Sequence, residues 1–143
     1  MADKDVAVEQ QPRKALPFIQ PGMEPYWEGA LKGELLLQRC QACGQYRHPA
    51  SEVCPKCLGS EQAWVAASGL GTVYSFVIVR QALDKAWASE VPYCVAVVAL
   101  QEGPHLLTNV TGIDMEDISV GLPVQVFFER ASENIALPKF TPV

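Results

Sequence analysis

The chain has 143 residues, of which 49% are hydrophobic and 19% are charged, and its formal net charge is −5. This is the composition of an ordinary globular protein, and the length suits one domain or two small modules. The acidic balance argues against a general affinity for nucleic acid, because binding to phosphates needs a surplus of lysine and arginine.

The N-terminal residues do not show the pattern of an export signal. Residues 1–15 are polar, carry both signs of charge and show no hydrophobic period, so we interpret them as a mobile arm. They lack the apolar core of a signal peptide. The longest apolar run, residues 93–100, is too short to cross a bilayer. We therefore expect a cytoplasmic protein without a membrane partner, in which cysteines stay reduced.

The next segment, residues 16–33, predicts an extended stretch and then one helix. Residues 16–22 are too apolar for a free linker and too rich in proline for a helix, so they should lie extended against another surface. Apolar residues then recur at helical spacing: Met23, Tyr26, Trp27, Ala30 and Leu31. Pro25 suits the first turn, and Gly33 suits the end. So short a helix must bury this stripe against the body of the protein or against a partner.

Residues 34–63 contain the motif with the clearest chemistry. Two Cys-x-x-Cys pairs lie ten residues apart, each followed closely by a glycine: Cys40, Cys43, Cys54 and Cys57. Two residues between the thiols let both sulfurs turn towards one ion, and the glycine accepts the positive φ that the turn needs. Four thiolates suit one tetrahedral Zn²⁺ ion and leave no open position for catalysis. We predict a zinc ribbon whose metal supplies folding energy that so small a module lacks.

Other interpretations of the four thiols are weaker. Two disulfides would need an oxidising compartment. A thioredoxin-like dithiol would leave one pair unexplained. Iron in a rubredoxin-type site stays an alternative, because its ligand set is the same. His48 could replace a cysteine as a ligand, but four cysteines already fill the site, so we expect His48 on the surface.

Residues 64–143 show the pattern of β-strands. We predict strands at residues 69–80, 92–100, 105–110, 123–130 and 135–140. A loop at residues 81–91 and a polar turn at residues 111–121 separate them. Five strands in about 75 residues, with a long first strand and a hairpin of the second and third, suit a small closed barrel, and the OB-fold matches best. The predicted fold class is mainly β, with an N-terminal helix, a zinc ribbon and a five-stranded OB-fold barrel.

The sequence contains no convincing catalytic set. Cys94 is the one candidate nucleophile, but it lies in an apolar strand, where a buried thiol is unreactive. His48 and His105 are the candidate imidazole bases, and no carboxylate pair stands out in a buried context. We expect a binding module and not an enzyme.

A zinc ribbon joined to an OB barrel also suggests nucleic-acid binding, which is the alternative function. Aromatic strand residues such as Tyr74 and Phe76 could stack on bases. However, Phe127 and Phe128 are adjacent and point to opposite faces, which suits a core at least as well. The basic residues are scattered along an acidic chain.

Several short motifs together resemble one family. In order, they are a helix with Tyr26-Trp27, Gly33-x-Leu35, the two cysteine pairs, Gly71-Thr72-Val73-Tyr74-Ser75, Pro92-Tyr93, Glu102-Gly103-Pro104 and Leu137-Pro138-Lys139-Phe140. Over about residues 16–143, the chain is similar to the rubredoxin-like zinc-ribbon plus OB-fold proteins of acyl-CoA metabolism, long known as a domain of unknown function. Apart from the cysteines, it is the order of the motifs that carries the resemblance.

The resemblance implies an accessory role. Family members are usually non-catalytic partners of thiolase-fold enzymes, such as archaeal acetoacetyl-CoA thiolase, steroid side-chain aldolases and benzoylsuccinyl-CoA thiolase. By resemblance, this chain would be a stand-alone subunit of a hetero-oligomer, without a hydratase domain. The partner would supply the nucleophilic cysteine or tyrosine and the histidines, while this chain shapes the acyl-CoA channel. The four zinc cysteines of the family match the two cysteine pairs.

Aromatic and basic residues are the predicted contacts with the partner or with coenzyme A. Exposed aromatic groups commonly anchor permanent interfaces, and basic side chains could meet the phosphates of coenzyme A. The candidates are Phe18, Tyr26, Trp27, Arg47, Lys85 and Trp87. For each basic residue, a solvated surface position is the simpler interpretation.

Overall fold

A computed structural model of the chain describes residues 13–143. The predicted arm, residues 1–15, lies outside this range except for its last three residues. The described part contains one α-helix and eight strands: α1 (Glu24–Leu31), β1 (Leu36–Cys40), β2 (Tyr46–Arg47), β3 (Gln62–Ala66), β4 (Leu70–Val79), β5 (Tyr93–Leu100), β6 (His105–Val110), β7 (Pro123–Arg130) and β8 (Ala136–Pro142). No helix within residues 13–143 is long and apolar enough to span a membrane.

The ribbon is a sheet of three antiparallel strands in the order β2-β1-β3. The ladder between β1 and β3 runs from Cys40 opposite Gln62 to Leu36 opposite Ala66. The predicted boundary between residues 63 and 64 falls inside β3, all of which pairs with β1. The ribbon sheet therefore extends to Ala66.

Strands β4 to β8 form a closed barrel in the order β4-β5-β6-β8-β7. Neighbouring strands are antiparallel, except that β6 meets β8 in parallel through the pair Val110 and Phe140. In β5, every second residue from Cys94 to Leu100 is buried, and the residues between them are half-buried. The closed five-stranded barrel confirms the predicted OB-fold. The predicted strands match β4 to β8 to within about two residues at each end.

The helix joins the ribbon to the barrel through one hydrophobic core. Tyr26 is 5% exposed and belongs to the same buried cluster as Leu37 of the ribbon and Val73 and Phe140 of the barrel. Ala30, one turn further along α1, is also buried. The apolar stripe of α1 therefore packs against the body of this chain. Of the two predicted roles, burial against the body of the protein or against a partner, this confirms the first.

We predict that Gly71 cannot carry a side chain. Gly71 pairs with both β5 and β7, and a Cβ there would lie 2.6 Å from the carbonyl oxygen of Ala99 and 2.7 Å from Cγ1 of Val98. Since the carbonyl belongs to the backbone of β5, Gly71→Ala should lower the free energy of unfolding by about 1–3 kcal/mol. The exposed neighbour Thr72, changed to alanine, should alter it by less than about 0.5 kcal/mol. Urea denaturation measures the free energy of unfolding of both variants. Equal values for the two variants would contradict this close approach of the backbones.

Candidate metal centre and its surroundings

The structure brings the four predicted metal ligands together. All four sulfur atoms lie within 4.8 Å of one another. Sγ of Cys40 is 3.6 Å from Sγ of Cys57, and Sγ of Cys43 is 3.7 Å from Sγ of Cys54. A tetrahedral ion with Zn–S bonds of about 2.3 Å separates its ligands by about 3.8 Å. The donor set and its spacing therefore fit one zinc ion.

Each cysteine pair lies on a tight turn in which the residue after the second cysteine has a positive φ. That residue is Gly44, at +77°, in the first turn and Leu58, at +63°, in the second. The prediction that a glycine supplies the positive φ is therefore wrong for the second turn, because Gly59 comes one residue later. Gly59 instead donates its N–H to Sγ of Cys57 at 3.4 Å, and a Cβ there would lie only 3.3 Å from the same sulfur.

Backbone N–H groups around the sulfurs favour thiolates. The N–H of Cys43 is the largest of the hydrogen bonds that together lower the pKa of Cys40 to about 6, and the N–H of Cys57 is the largest of those that lower the pKa of Cys54. At Cys57, the N–H of Gly59 lowers the pKa, but the neighbouring thiols and burial outweigh it and raise the pKa to about 11. Sulfurs this close cannot all ionise without a cation between them, so the cluster suits a divalent metal ion.

The other candidate reactive residues lie outside this cluster. His48 is half-buried, with its ring centroid 5.0 Å from that of Tyr26. His48 is not one of the four clustered ligands, as expected, but it is only partly at the surface because its ring packs against α1. Cys94 is buried in the barrel, where burial raises the pKa of its thiol. This confirms the predicted core position of Cys94. His105 is exposed beside Tyr74.

Two of the six predicted contact residues are buried inside the chain and offer little surface to a partner. Tyr26 fills the core, and burial raises the pKa of its hydroxyl. Arg47 is only 7% exposed, contrary to the expectation of a solvated cation. Of the remaining candidates, Phe18 and Lys85 are exposed, whereas Trp27 and Trp87 are half-buried.

Arg47 ties the ribbon sheet together. Its Nε donates to Oε1 of Gln38 at 2.8 Å, and its Nη2 donates to Oε1 of Gln62 at 3.1 Å and to the carbonyl oxygen of Ser51 at 2.9 Å. These bonds link β2 with β1, β3 and the loop between the cysteine pairs. A guanidinium can supply this many donors from one planar group, which a lysine cannot.

A cleft runs along the barrel where β6 approaches β8. Three cavities of about 310, 310 and 570 Å³ share Asn109 and Lys139. Basic side chains outnumber Glu129 in the lining of the largest cavity; they are Arg13, Lys14, Arg130 and Lys139. Nζ of Lys139 lies 3.0 Å from Oε2 of Glu129. Trp87 lines two of the cavities, and Trp27 lines the third. Sequence patterns alone gave no signal for this cleft, because residues far apart in the chain form it.

Two family models cover most of the described chain. The model described as "ChsH2, rubredoxin-like zinc ribbon domain" matches residues 27–62, and "ChsH2, C-terminal OB-fold domain" matches residues 64–129. The chain belongs to the ChsH2 zinc-ribbon and OB-fold family. This confirms the family that the sequence motifs resemble.

Individual relatives agree with this membership. A chain of the solved structure "Ltp2-ChsH2(DUF35) aldolase" is 37% identical, with a TM-score of 0.81 over 89% of this chain and 98% of that chain. A "DUF35 domain-containing scaffold protein" of Methanocaldococcus jannaschii is 33% identical over 67% of this chain and 68% of the relative. A "Probable enoyl-CoA hydratase alpha subunit" of Thermomonospora curvata is 36% identical over 97% of this chain, which spans only 44% of that relative's length.

We predict that removing one sulfur of the cluster abolishes metal binding. Cys40→Ser should lower the zinc content of the purified protein from one ion per chain to nearly none, with loss of the ribbon fold, since a structural zinc ion stabilises such modules by about 10–16 kcal/mol. Cys94→Ala, which removes a thiol outside the cluster, is the control and should retain the ion. Elemental analysis by mass spectrometry measures the content. Zinc retained in Cys40→Ser, or absent from the wild type, would contradict the assignment.

We also predict that His48 makes the fold sensitive to acid. Burial lowers the pKa of His48 below its ordinary value of 6.5, so the unfolded chain takes up this proton at a higher pH than the folded chain does. The free energy of unfolding should therefore fall as the pH drops below about 6.5. His48→Phe keeps a ring against Tyr26 and removes this contribution. Denaturation at about pH 8 and about pH 5 tests it, and an equal pH dependence in both proteins would rule it out.

Proposed function

We propose that this chain is a non-catalytic, zinc-binding subunit of an acyl-CoA enzyme complex, whose thiolase-fold partner makes or breaks a C–C bond. The observation that carries the proposal is the 37% identity to a chain of the structure named Ltp2-ChsH2(DUF35) aldolase, over 89% of this chain and 98% of that chain. The scaffold name of the archaeal relative supports a structural role, and the enoyl-CoA hydratase name supports an acyl-CoA substrate.

The metal in this proposal is structural. Cys40, Cys43, Cys54 and Cys57 would hold one zinc ion, and a fourfold thiolate site has no position for water or substrate. The ion would supply cohesion to the ribbon and no chemical step. Among residues 13–143, the cysteines form no disulfide, which suits the reducing cytoplasm that we propose as the location.

The chemistry would belong to the partner. An acyl-transfer or aldol site needs a nucleophile or base beside an orienting group. In this chain, Cys94 is buried in the barrel, and the ring of His48 is packed against α1. We propose that the partner contributes the nucleophilic cysteine or tyrosine and the histidines.

The cleft between β6 and β8 is the part of this chain that we propose to help seat the acyl-CoA. Its largest cavity, about 570 Å³, has the size of a small-molecule site. Its basic side chains, Arg13, Lys14, Arg130 and Lys139, would attract the phosphates of coenzyme A. Lys14 pairs with Glu90 and Lys139 pairs with Glu129, so the phosphates would compete with these carboxylates for the two lysines. As proposed contacts with coenzyme A, the four basic residues replace the buried Arg47. Trp87 remains a proposed contact.

Co-purification from the source organism tests this function. We expect the tagged chain to elute in a fixed ratio with a larger acyl-CoA enzyme of the thiolase fold, identified by mass spectrometry. We also expect no retention on single-stranded DNA at physiological salt, because the chain has a net charge of −5. A chain that elutes alone, or that binds single-stranded DNA in preference to the enzyme, would contradict the proposal.

A further inference from the structure

The outer surface of three barrel strands carries no charged side chain. Residues that alternate with the buried ones on β4, β5 and β6 line up across the strands in four rows. The rows are Thr72–Ala99–His105, Ser75–Val97–Leu107, Val77–Val95–Asn109 and Val79–Tyr93. No Asp, Glu, Lys or Arg occurs among them, although 19% of the chain is charged. We call this surface the uncharged face.

The uncharged face is also strongly apolar and open. Val77 is 60% exposed, and Leu107 is 72% exposed. Tyr74, at the bulge of β4, is 59% exposed, and its ring lies 4.5 Å from that of His105. Contiguous exposed apolar patches of a few hundred Å² on a small protein usually mark an interaction site.

We propose that the acyl-CoA enzyme subunit docks on the uncharged face through an apolar, uncharged patch of its own; this inference rests on the proposed function. The face adjoins the cleft, because Asn109 stands in one of its rows and also lines all three cavities. A partner seated on the face therefore lies beside the cleft and can form its missing wall. The ligand would then be shared between the two subunits.

Charge argues against nucleic acid as the occupant. In OB-folds, the second and third strands and the adjoining loops are the usual ligand surface, and here these strands are β5 and β6. A nucleic-acid strand needs lysine or arginine for its phosphates beside the aromatic groups. None of the outward residues of the uncharged face supplies one.

Area and charge argue against a second copy of this chain. Three strands and four rows cover roughly 400 Å², about half of what each partner of a standard interface buries. The contact must therefore extend over the neighbouring loop, where Leu83 is almost fully exposed and Trp87 packs 5.3 Å from the ring of Tyr93. A second copy would also bring together two chains of net charge −5, which opposes self-association. A larger enzyme subunit, by contrast, offers the wider surface that such a contact needs.

A charge placed within the uncharged face tests the proposal. Val77→Glu inserts a carboxylate at an exposed position that lines none of the three cavities, and Val53→Glu makes the same change in the exposed loop of the ribbon. Binding to the purified enzyme subunit from the co-purification is measured by calorimetry. We expect Val77→Glu to weaken binding at least about tenfold and Val53→Glu to change it less than about twofold. Tyr74→Glu is a second variant and should behave as Val77→Glu does.

The outcomes separate this inference from the proposed function. If the wild type binds the enzyme and both variants of the face bind equally well, the docking surface is wrong and the proposed function stands. If the wild type binds no acyl-CoA enzyme, the proposed function fails, and the docking surface fails with it. If the isolated chain is a dimer that Val77→Glu dissociates, the occupant is a second copy, and the proposal is overturned. Unchanged thermal unfolding of the variants shows that their folds are intact.

Discussion

The convergence of four sulfur atoms within 4.8 Å of one another is the constraint on which the rest of the structure depends. The ribbon is a three-stranded sheet with two strands of five residues and one of two, too small to bury a core of its own. A metal ion bound by the sulfur of Cys40 would fix the end of β1. Leu37, on the same strand, belongs to the core shared with α1 and the barrel. A metal ion at the sulfurs would thus anchor the ribbon, and through the ribbon the orientation of helix and barrel.

The barrel buries the side chains that stabilise this chain in its interior and presents its possible binding surfaces on the outside. Its interior is filled by fully buried side chains such as Val98 and Phe140, as is typical of small barrels. Its outside offers the uncharged face and the cleft, which meet at Asn109. In the proposed function, this chain would contribute the binding surface and its partner would contribute the reactive groups.

Sequence patterns predicted those parts of the molecule that depend on local periodicity. The spacing of the cysteines, the helical stripe around Tyr26 and the alternation in β5 each reflect contacts that repeat along one element. The burial of Arg47 could not be foreseen, because it depends on Gln38 and Gln62 from two other strands. The cleft depends in the same way on residues from several strands. The positive φ at Leu58 shows that the geometry of the turn decided the conformation, against the residue preference that favours glycine.

Reconstitution of turnover tests the central claim most directly. The partner enzyme, this chain and the mixture of the two would each be assayed with an acyl-CoA substrate, and the mixture would be repeated with metal-free chain. The account predicts no turnover by this chain alone, full turnover by the mixture and a loss of that activity when the chain lacks its metal. Turnover of acyl-CoA by the isolated chain, or an equally active mixture without the metal, would contradict it.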